Sequence, residues 1–124
     1  MVTKWADLPK LGKFIDFLLM NRLPIFISEA MPALIKATTD EDVDVRAWAA
    51  GALDEIGPAA KAAVPALIQL LRDPQEGPRN GACLALRSVG PAGREALPAL
   101  RATLHDPSAD TRKFAILAIA AIKR

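Results

Sequence analysis

Residues 56–74 read IGPAAKAAVPALIQLLRDP, and residues 89–107 repeat this stretch as VGPAGREALPALRATLHDP. The two stretches are identical at 10 of 19 positions and lie 33 residues apart. The same offset, carried along the chain, aligns three prolines, three aspartates and three arginines: Pro32, Pro65 and Pro98; Asp40, Asp73 and Asp106; and Arg46, Arg79 and Arg112. Similarity at a fixed period of this length is typical of tandem arrays. The sequence therefore predicts three 33-residue repeats.

Each repeat is predicted to contain two helices. Glycine followed by proline at Gly57 and Gly90 ends one helix and starts the next, and apolar residues recur at helical spacing beyond it. The proline inside each first helix should kink or restart that helix, and Gly77-Pro78 should delay the second helix of the middle repeat by one turn. The expected helices are a cap near 7–22 and pairs near 24–38 and 43–56, 58–72 and 78–89, and 91–105 and 109–123, with no strand.

The length and composition indicate one folded domain. A chain of 124 residues has the size of a single domain, and 52% hydrophobic residues exclude a disordered chain. Asp16 would take the core position of Ala49 if the repeat continued backwards, so the first segment is interpreted as an irregular cap. The predicted division is 1–23 for the cap and 24–57, 58–90 and 91–124 for the repeats.

Charge and cysteine content point to a cytoplasmic protein without a membrane segment. The net charge of +2 does not require nucleic acid or an anionic membrane as a partner. The single cysteine, Cys83, cannot form an intramolecular disulfide. The apolar run at residues 14–20 is interrupted well before the roughly 20 residues that a membrane span needs.

The repeat resembles the HEAT repeat, in particular the short variety of the phycobilisome-lyase-like HEAT proteins. The resemblance rests on the run G-P-A-x-x-x-A-(V/L)-P-A-L, the D-P turn and the arginine six residues after the turn aspartate, and it covers about residues 24–124. It implies an all-α fold, a right-handed α-solenoid whose second helices line a concave surface. It also implies a non-catalytic scaffold that binds a protein or peptide partner on that surface.

Residues that could support catalysis, a metal or a cofactor lack companions. Deoxyhypusine hydroxylases share the repeat type but carry His-Glu pairs for iron, and His105, the only histidine, has no adjacent glutamate. Cys83 has no basic partner in the repeat register. The acidic run at residues 40–44 lacks the glycine and the final acid of a calcium loop. No catalytic, metal or cofactor site is therefore predicted, and the protein is interpreted as not an enzyme.

Two other functions stay open as alternatives. HEAT-like alkylpurine DNA glycosylases bind duplex DNA, but here residues 32–64 carry 3 positive and 6 negative groups, whereas 98–124 carry 5 and 2. A DNA tract along the array would cross an acidic repeat, which disfavours nucleic acid. Bilin lyases and isomerases also share the repeat, but nothing in this sequence specifies a tetrapyrrole.

Helical geometry identifies the residues that we expect to contact a partner. If positions 45, 49, 53 and 56 face inward, then positions 47, 51 and 54 and their equivalents face outward. The mixed, partly apolar surface so defined suits a peptide or helix better than a phosphate backbone. The predicted contact residues on this face and its flank are Trp48, Gly51, Asp54, Asn80, Leu84, Arg87, Lys113, Phe114 and Leu117.

The repeated charges are interpreted as structural. We expect each aspartate of the series Asp40, Asp73 and Asp106 to cap the second helix of its repeat. Each arginine of the series Arg46, Arg79 and Arg112 should reach an aspartate of an adjacent repeat. Together the two series would form a ladder of ion pairs through the stack.

The terminal helices predict self-association. Residues 114–122 read FAILAIAAI, which is apolar around most of a helix and should be buried. A large apolar patch on a small monomer usually marks an interface. We therefore expect a homo-oligomer formed through one terminal helix, the C-terminal helix first, with isologous geometry.

Overall fold

The computed structural model describes residues 24–124, and the cap predicted in residues 1–23 lies outside this part of the chain. Within it the chain is helical and has no strand, as expected. The α-helices are α1 (Pro24–Ala37), α2 (Val43–Ile56), α3 (Val64–Leu70), α4 (Glu76–Val89), α5 (Leu97–Thr103) and α6 (Ala109–Ile122). Short 3-10 helices, Gly57–Ala63 and Gly90–Ala96, precede α3 and α5.

The residues at the two ends of the long helix α2 favour a helix start and a helix end. Asp42 is its N-cap, and the side chain accepts a hydrogen bond of 2.8 Å from the backbone N–H of Asp44. Gly57 ends the helix with φ 71°, and its N–H donates to the carbonyl of Leu53. Gly90 ends α4 with the same φ and donates to Leu86. A residue with a Cβ rarely adopts this φ, so glycine is required at both ends.

The prolines of the first helices have two different outcomes. Pro65 and Pro98 stand in the first turn of α3 and α5, immediately after the 3-10 helices, so the predicted restart is found in two repeats. Pro32 lies inside α1, which continues without a break from Pro24 to Ala37. The helix does not restart at Pro32, so the first repeat differs from the other two in this respect. The carbonyl that loses its donor belongs to Ser28, which is exposed, so this carbonyl can bond to water.

The second helix of the middle repeat begins at Glu76 rather than at the predicted Pro78. Its first turn contains Gly77 and Pro78. Backbone N–H groups in the first turn of a helix have no acceptor within that helix, so a proline there removes no helical hydrogen bond. As a result α2, α4 and α6 have the same length and start 33 residues apart.

The second helices stack side by side, α2 on α4 and α4 on α6, and the first helices pack behind them. This is the architecture of a helical solenoid. The core repeats with the sequence: Leu53 and Leu86 on the second helices are fully buried, as are Leu67 and Leu100 on the first. Contact between α2 and α4 is close, because a Cβ on Gly81 would lie 2.8 Å from the Cβ of Ala50.

The last helix is covered more completely than its sequence indicates. It buries Ala115, Ala118 and Ile122 against its neighbours, and Phe114 and Ile119 are partly covered by the same core. Ile116, 58% exposed, is the one strongly exposed large apolar residue among residues 27–124. The broad apolar surface expected along α6 is therefore reduced to a narrow flank, because α4 and α5 cover the rest of the helix.

Candidate functional site

Two bidentate ion pairs connect neighbouring repeats. The Nε of Arg46 lies 2.7 Å from Oδ2 of Asp73, and its Nη2 lies 3.2 Å from Oδ1. Arg79 and Asp106 repeat this arrangement at 2.8 and 3.2 Å. The side chains are largely buried, with 6% and 8% exposure for the two aspartates and 14% for each arginine. Each pair ties a second helix to the turn of the following repeat.

All three arginines are held in the same orientation by the turn before their own helix. The Nη1 of Arg46 donates to the carbonyl of Asp40 at 2.9 Å, that of Arg79 to Asp73 at 3.0 Å, and that of Arg112 to Asp106 at 2.6 Å. This leaves Nε and Nη2 of each side chain directed along the array. For Arg112 these two groups have no acceptor within residues 24–124.

Each aspartate of the series lies two residues before the N-cap of a second helix and is not itself the N-cap. The Oδ1 atoms of Asp40, Asp73 and Asp106 each accept a hydrogen bond of 2.9 Å from the backbone N–H two residues further on. The residues that donate these N–H groups are the N-caps of the second helices: Asp42, Gln75 and Ser108. The expectation that the aspartate series caps the second helices is therefore corrected. Each aspartate fixes the turn that enters a helix, and Asp73 and Asp106 also bind an arginine.

The surroundings of these groups shift their pKa values. Burial favours the neutral form of Asp106, but hydrogen bonds from the Ser108 N–H and from Arg79 outweigh it, so its pKa lies below the ordinary value. The hydrogen bond to Asp73 raises the pKa of Arg46. The Arg46 guanidinium and the Asp106 carboxylate are therefore ionised at neutral pH.

The other candidate reactive groups show no arrangement for catalysis. Burial raises the pKa of the Cys83 thiol to about 12, so the thiolate is scarce at neutral pH. His105 is exposed at the end of the turn after α5. Within the described residues no three metal-binding side chains lie close enough together to hold an ion. The same part of the chain contains no helix that could cross a membrane.

The predicted contact residues divide into three kinds. Gly51, Arg87 and Lys113 are exposed, and Leu84 and Leu117 are half-buried. These five residues lie on α2, α4 and α6, and we call them the outward face. Trp48 and Phe114 on the flank are half-buried and pack against the core, so part of each ring serves the fold.

The remaining two, Asp54 and Asn80, bond to neighbouring helices. Asp54 accepts a hydrogen bond from the hydroxyl of Ser88 on α4. The Oδ1 of Asn80 accepts one from the hydroxyl of Thr111 on α6 at 2.5 Å. Sequence reasoning missed Ser88 and Thr111, since neither recurs at the 33-residue period. The one available signal is a small hydroxyl residue close to the helix face that packs on the neighbouring repeat, where it can donate a hydrogen bond.

Gly51 stands in the middle of α2 with nothing within 4 Å of the place where a Cβ would be. Its backbone is helical, so the conformation does not require glycine. Glycine inside a helix costs roughly 0.5–1 kcal/mol relative to alanine. Neither the backbone conformation nor the packing of the described residues explains why glycine is present despite this cost. The empty space at Gly51 leaves the backbone of α2 accessible from outside.

Two glycine substitutions should have opposite effects. We expect Gly51→Ala to raise the free energy of unfolding by about 0.5–1 kcal/mol, because helix propensity improves and the space is open. Gly81→Ala should lower it by about 1–3 kcal/mol, because the new methyl group would overlap Ala50. Urea denaturation of both variants measures the difference. Destabilisation by Gly51→Ala would show that the space above α2 is occupied.

The stacked helix pairs and their repeated core define a helical-repeat protein. A family model of HEAT repeats matches residues 31–120, so the chain belongs to the HEAT repeat family. HEAT repeats generally mediate interactions between proteins, and proteins built from them are typically non-enzymatic scaffolds.

Comparison with solved structures agrees with this fold. The chain is similar to the crystal structure of an engineered protein, with 25% identity and a TM-score of 0.67. The match covers 77% of this chain and 46% of the engineered one, so the chain spans less than half of that protein's length. No curated protein matches this chain.

Proposed function

We propose that this chain is a non-catalytic scaffold that binds a helical segment of a protein partner along the outward face of α2, α4 and α6. The observation that carries the proposal is the row formed by Gly51, Leu84 and Leu117. These residues occupy the same position in successive repeats, and together they give one open place followed by two partly exposed apolar side chains.

The spacing of this row suits a helix that crosses the second helices. Packed helices lie about 8–10 Å apart, and seven residues of an α-helix span roughly 10.5 Å. A partner helix with apolar side chains seven residues apart can therefore contact Leu84 and Leu117 together. Gly51 would allow a third side chain to approach the backbone of α2. Helix-in-groove recognition uses anchors of this kind.

The charged residues beside the row favour one orientation of the partner. Arg87 and Lys113 are exposed next to Leu84 and Leu117, whereas Asp44 is exposed on α2. A partner helix that is acidic at the end over α6 and basic at the end over α2 would complement them. Such charges affect orientation and association rate more than affinity.

The test is selection of binders from a library of amphipathic helical peptides, followed by affinity measurement with variants. Leu84→Glu and Leu117→Glu should each weaken binding by about thirtyfold, as expected for central apolar contacts. Ala92→Glu, exposed on the 3-10 helix Gly90–Ala96 away from the face, is the control and should bind as the unmodified chain does. Equal affinity of all three variants would contradict the proposed surface.

Two further measurements address the alternatives. Binding to duplex DNA that weakens steeply with salt would favour a nucleic-acid binder instead. Turnover in a hydrolase or isomerase screen that a single substitution abolishes would contradict the non-catalytic part of the proposal. A cytoplasmic location stays a prediction from the cysteine content and charge of the sequence.

A further inference from the structure

The first helices of the middle and third repeats carry exposed cations that no side chain in residues 24–124 neutralises. These cations are Lys61, Arg72, Arg94 and Arg101. None of their side chains forms a hydrogen bond or an ion pair within the described residues. The arginines of the second helices differ, because each of them is bound at least to its own turn. We call the surface of the four unpaired cations the basic rear face.

The basic rear face lies on the side of the array away from the second helices. The opposite side of each first helix packs into the core, where Leu67 and Leu100 are 0% exposed. Lys61 and Arg94 occupy the same position in successive repeats, and the two 3-10 helices that carry them contact each other. The cations of the two repeats therefore form one continuous surface.

Acidic residues are located elsewhere in the chain. Residues 24–124 contain 12 Asp and Glu, and 10 of these lie in the second helices or in the turns. Residues 57–72 contain none, and Glu95 is the one acid among residues 90–105. Residues 1–23 contain 4 Lys and Arg but 2 Asp, so their net charge does not complement a basic surface. A patch with charge of one sign attracts ligands of the opposite sign.

We infer that the basic rear face binds an acidic, extended segment of a partner protein. An acidic segment repels itself and therefore stays extended. In the polyproline II conformation every third side chain points the same way, and one turn rises about 9.3 Å. Neighbouring packed helices lie about 8–10 Å apart. Carboxylates three residues apart can therefore pair with Lys61 and Arg94 together.

The side chains between the cations allow such a segment to approach closely. Ala62, Pro65 and Pro98 are exposed on the first helices, and none of them projects far from the helix. The carboxylates can therefore reach the cations while the partner backbone lies against the helices. Recognition of acidic motifs by clustered arginines uses charge-assisted contacts of this kind.

The composition of the face favours a protein segment over a nucleic acid or a membrane. Single-stranded nucleic acids are held by aromatic side chains that stack on the bases, and residues 57–105 contain no Phe, Trp or Tyr. Membrane-surface helices insert large apolar side chains. Among residues 27–124 the one strongly exposed residue of that kind is Ile116, which lies on α6.

The experiment is fluorescence anisotropy at low salt with a labelled peptide of four Glu-Pro-Pro triplets, titrated with the full chain. We expect this peptide to bind and the matched Gln-Pro-Pro peptide not to bind. Lys61→Glu and Arg94→Glu should each weaken binding about fivefold, the effect expected of an exposed ion pair turned into a repulsion. The double variant should weaken it about twentyfold.

Lys113→Glu is the matched control, because it makes the same charge change on the outward face. It should bind the acidic peptide as the unmodified chain does. Melting temperatures verify that the variants are folded. The side chains of Lys61 and Arg94 make no bond within the described residues, so their reversal should leave the melting temperature unchanged.

Three results would overturn the inference. The first is equal binding, or no binding, of the Glu and Gln peptides. The second is a loss of affinity with Lys113→Glu as large as that with Lys61→Glu. The third is tighter binding of duplex DNA, or of vesicles of phosphatidylcholine and phosphatidylserine, that Lys61→Glu weakens. Leu84→Glu and Leu117→Glu should leave binding of the acidic peptide unchanged, so failure here is distinguishable from failure of helix binding on the outward face.

Discussion

Replacing Leu86 by alanine is expected to lower the free energy of unfolding by about 2–5 kcal/mol, the range for a large side chain removed from a packed core. Leu86 is 0% exposed and lies in the central second helix, α4, which contacts α2 on one side and α6 on the other. A cavity there weakens both stacking contacts at once. Denaturant unfolding followed by circular dichroism at the helical band measures the change.

Leu84→Ala provides the matched control, because it makes the same chemical change two residues away on the same helix. Leu84 is half-exposed on the outward face, and its loss should cost about 1 kcal/mol. If the two variants were equally stable, the assignment of inward and outward faces of α4 would be wrong.

Replacing Arg79 by alanine should lower the free energy of unfolding by about 1–3 kcal/mol, the cost of a lost charged hydrogen bond. The variant leaves Asp106, only 8% exposed, without its bidentate partner. It also removes the bond from Nη1 to the carbonyl of Asp73. Thermal unfolding measures the loss, and Arg87→Ala, on the exposed part of the same helix, should change stability by about 0.5 kcal/mol or less.

The pH dependence of stability tests the same pair. The pKa of Asp106 is lower in the folded chain than in the unfolded one, so its contribution is complete above the unfolded value of about 3.9. That contribution is lost as the pH falls through the folded value, because the unfolded state binds the proton first. The unmodified chain should therefore lose stability more steeply below about pH 4 than the Asp106→Asn variant does. Parallel pH profiles would contradict the role given to this carboxylate.

The sequence predicts most of the helix boundaries because specific residues encode them. The bounds predicted for α2, 43–56, are those observed, since Asp42 caps its start and Gly57 ends it. The restart at Pro65 follows from the same local chemistry. The predicted helix start at Pro78 was wrong, and the helix does not restart at Pro32, because a proline breaks a helix only where the lost hydrogen bond matters. That depends on exposure and on position within the turn.

Contacts between repeats are harder to predict. The pairing of Arg46 with Asp73 could be proposed because both residues recur at the same period. The bond between Ser88 and Asp54 could not, since it joins residues 34 apart that do not recur as a pair. The covering of α6 was also missed, because an apolar pattern shows that a side chain favours burial but not which neighbour covers it. The sequence also does not show that Ile116 is exposed, because the residues at the same position in the other repeats, Ala50 and Cys83, are buried.

Because Cys83 is buried between repeats, the reactivity of its thiol depends on whether the repeats stay stacked. The thiol takes the same place on α4 that Ala50 takes on α2, at the contact with the next repeat, and its pKa is about 12. Oxidants and electrophiles react with exposed thiolates, so this sulfur is protected while α4 and α6 stay stacked. Once the last repeat separates, the thiol becomes accessible and its pKa returns towards the ordinary value. Chemical damage at Cys83 therefore follows the opening of the C-terminal repeat and, once formed, would obstruct its closing.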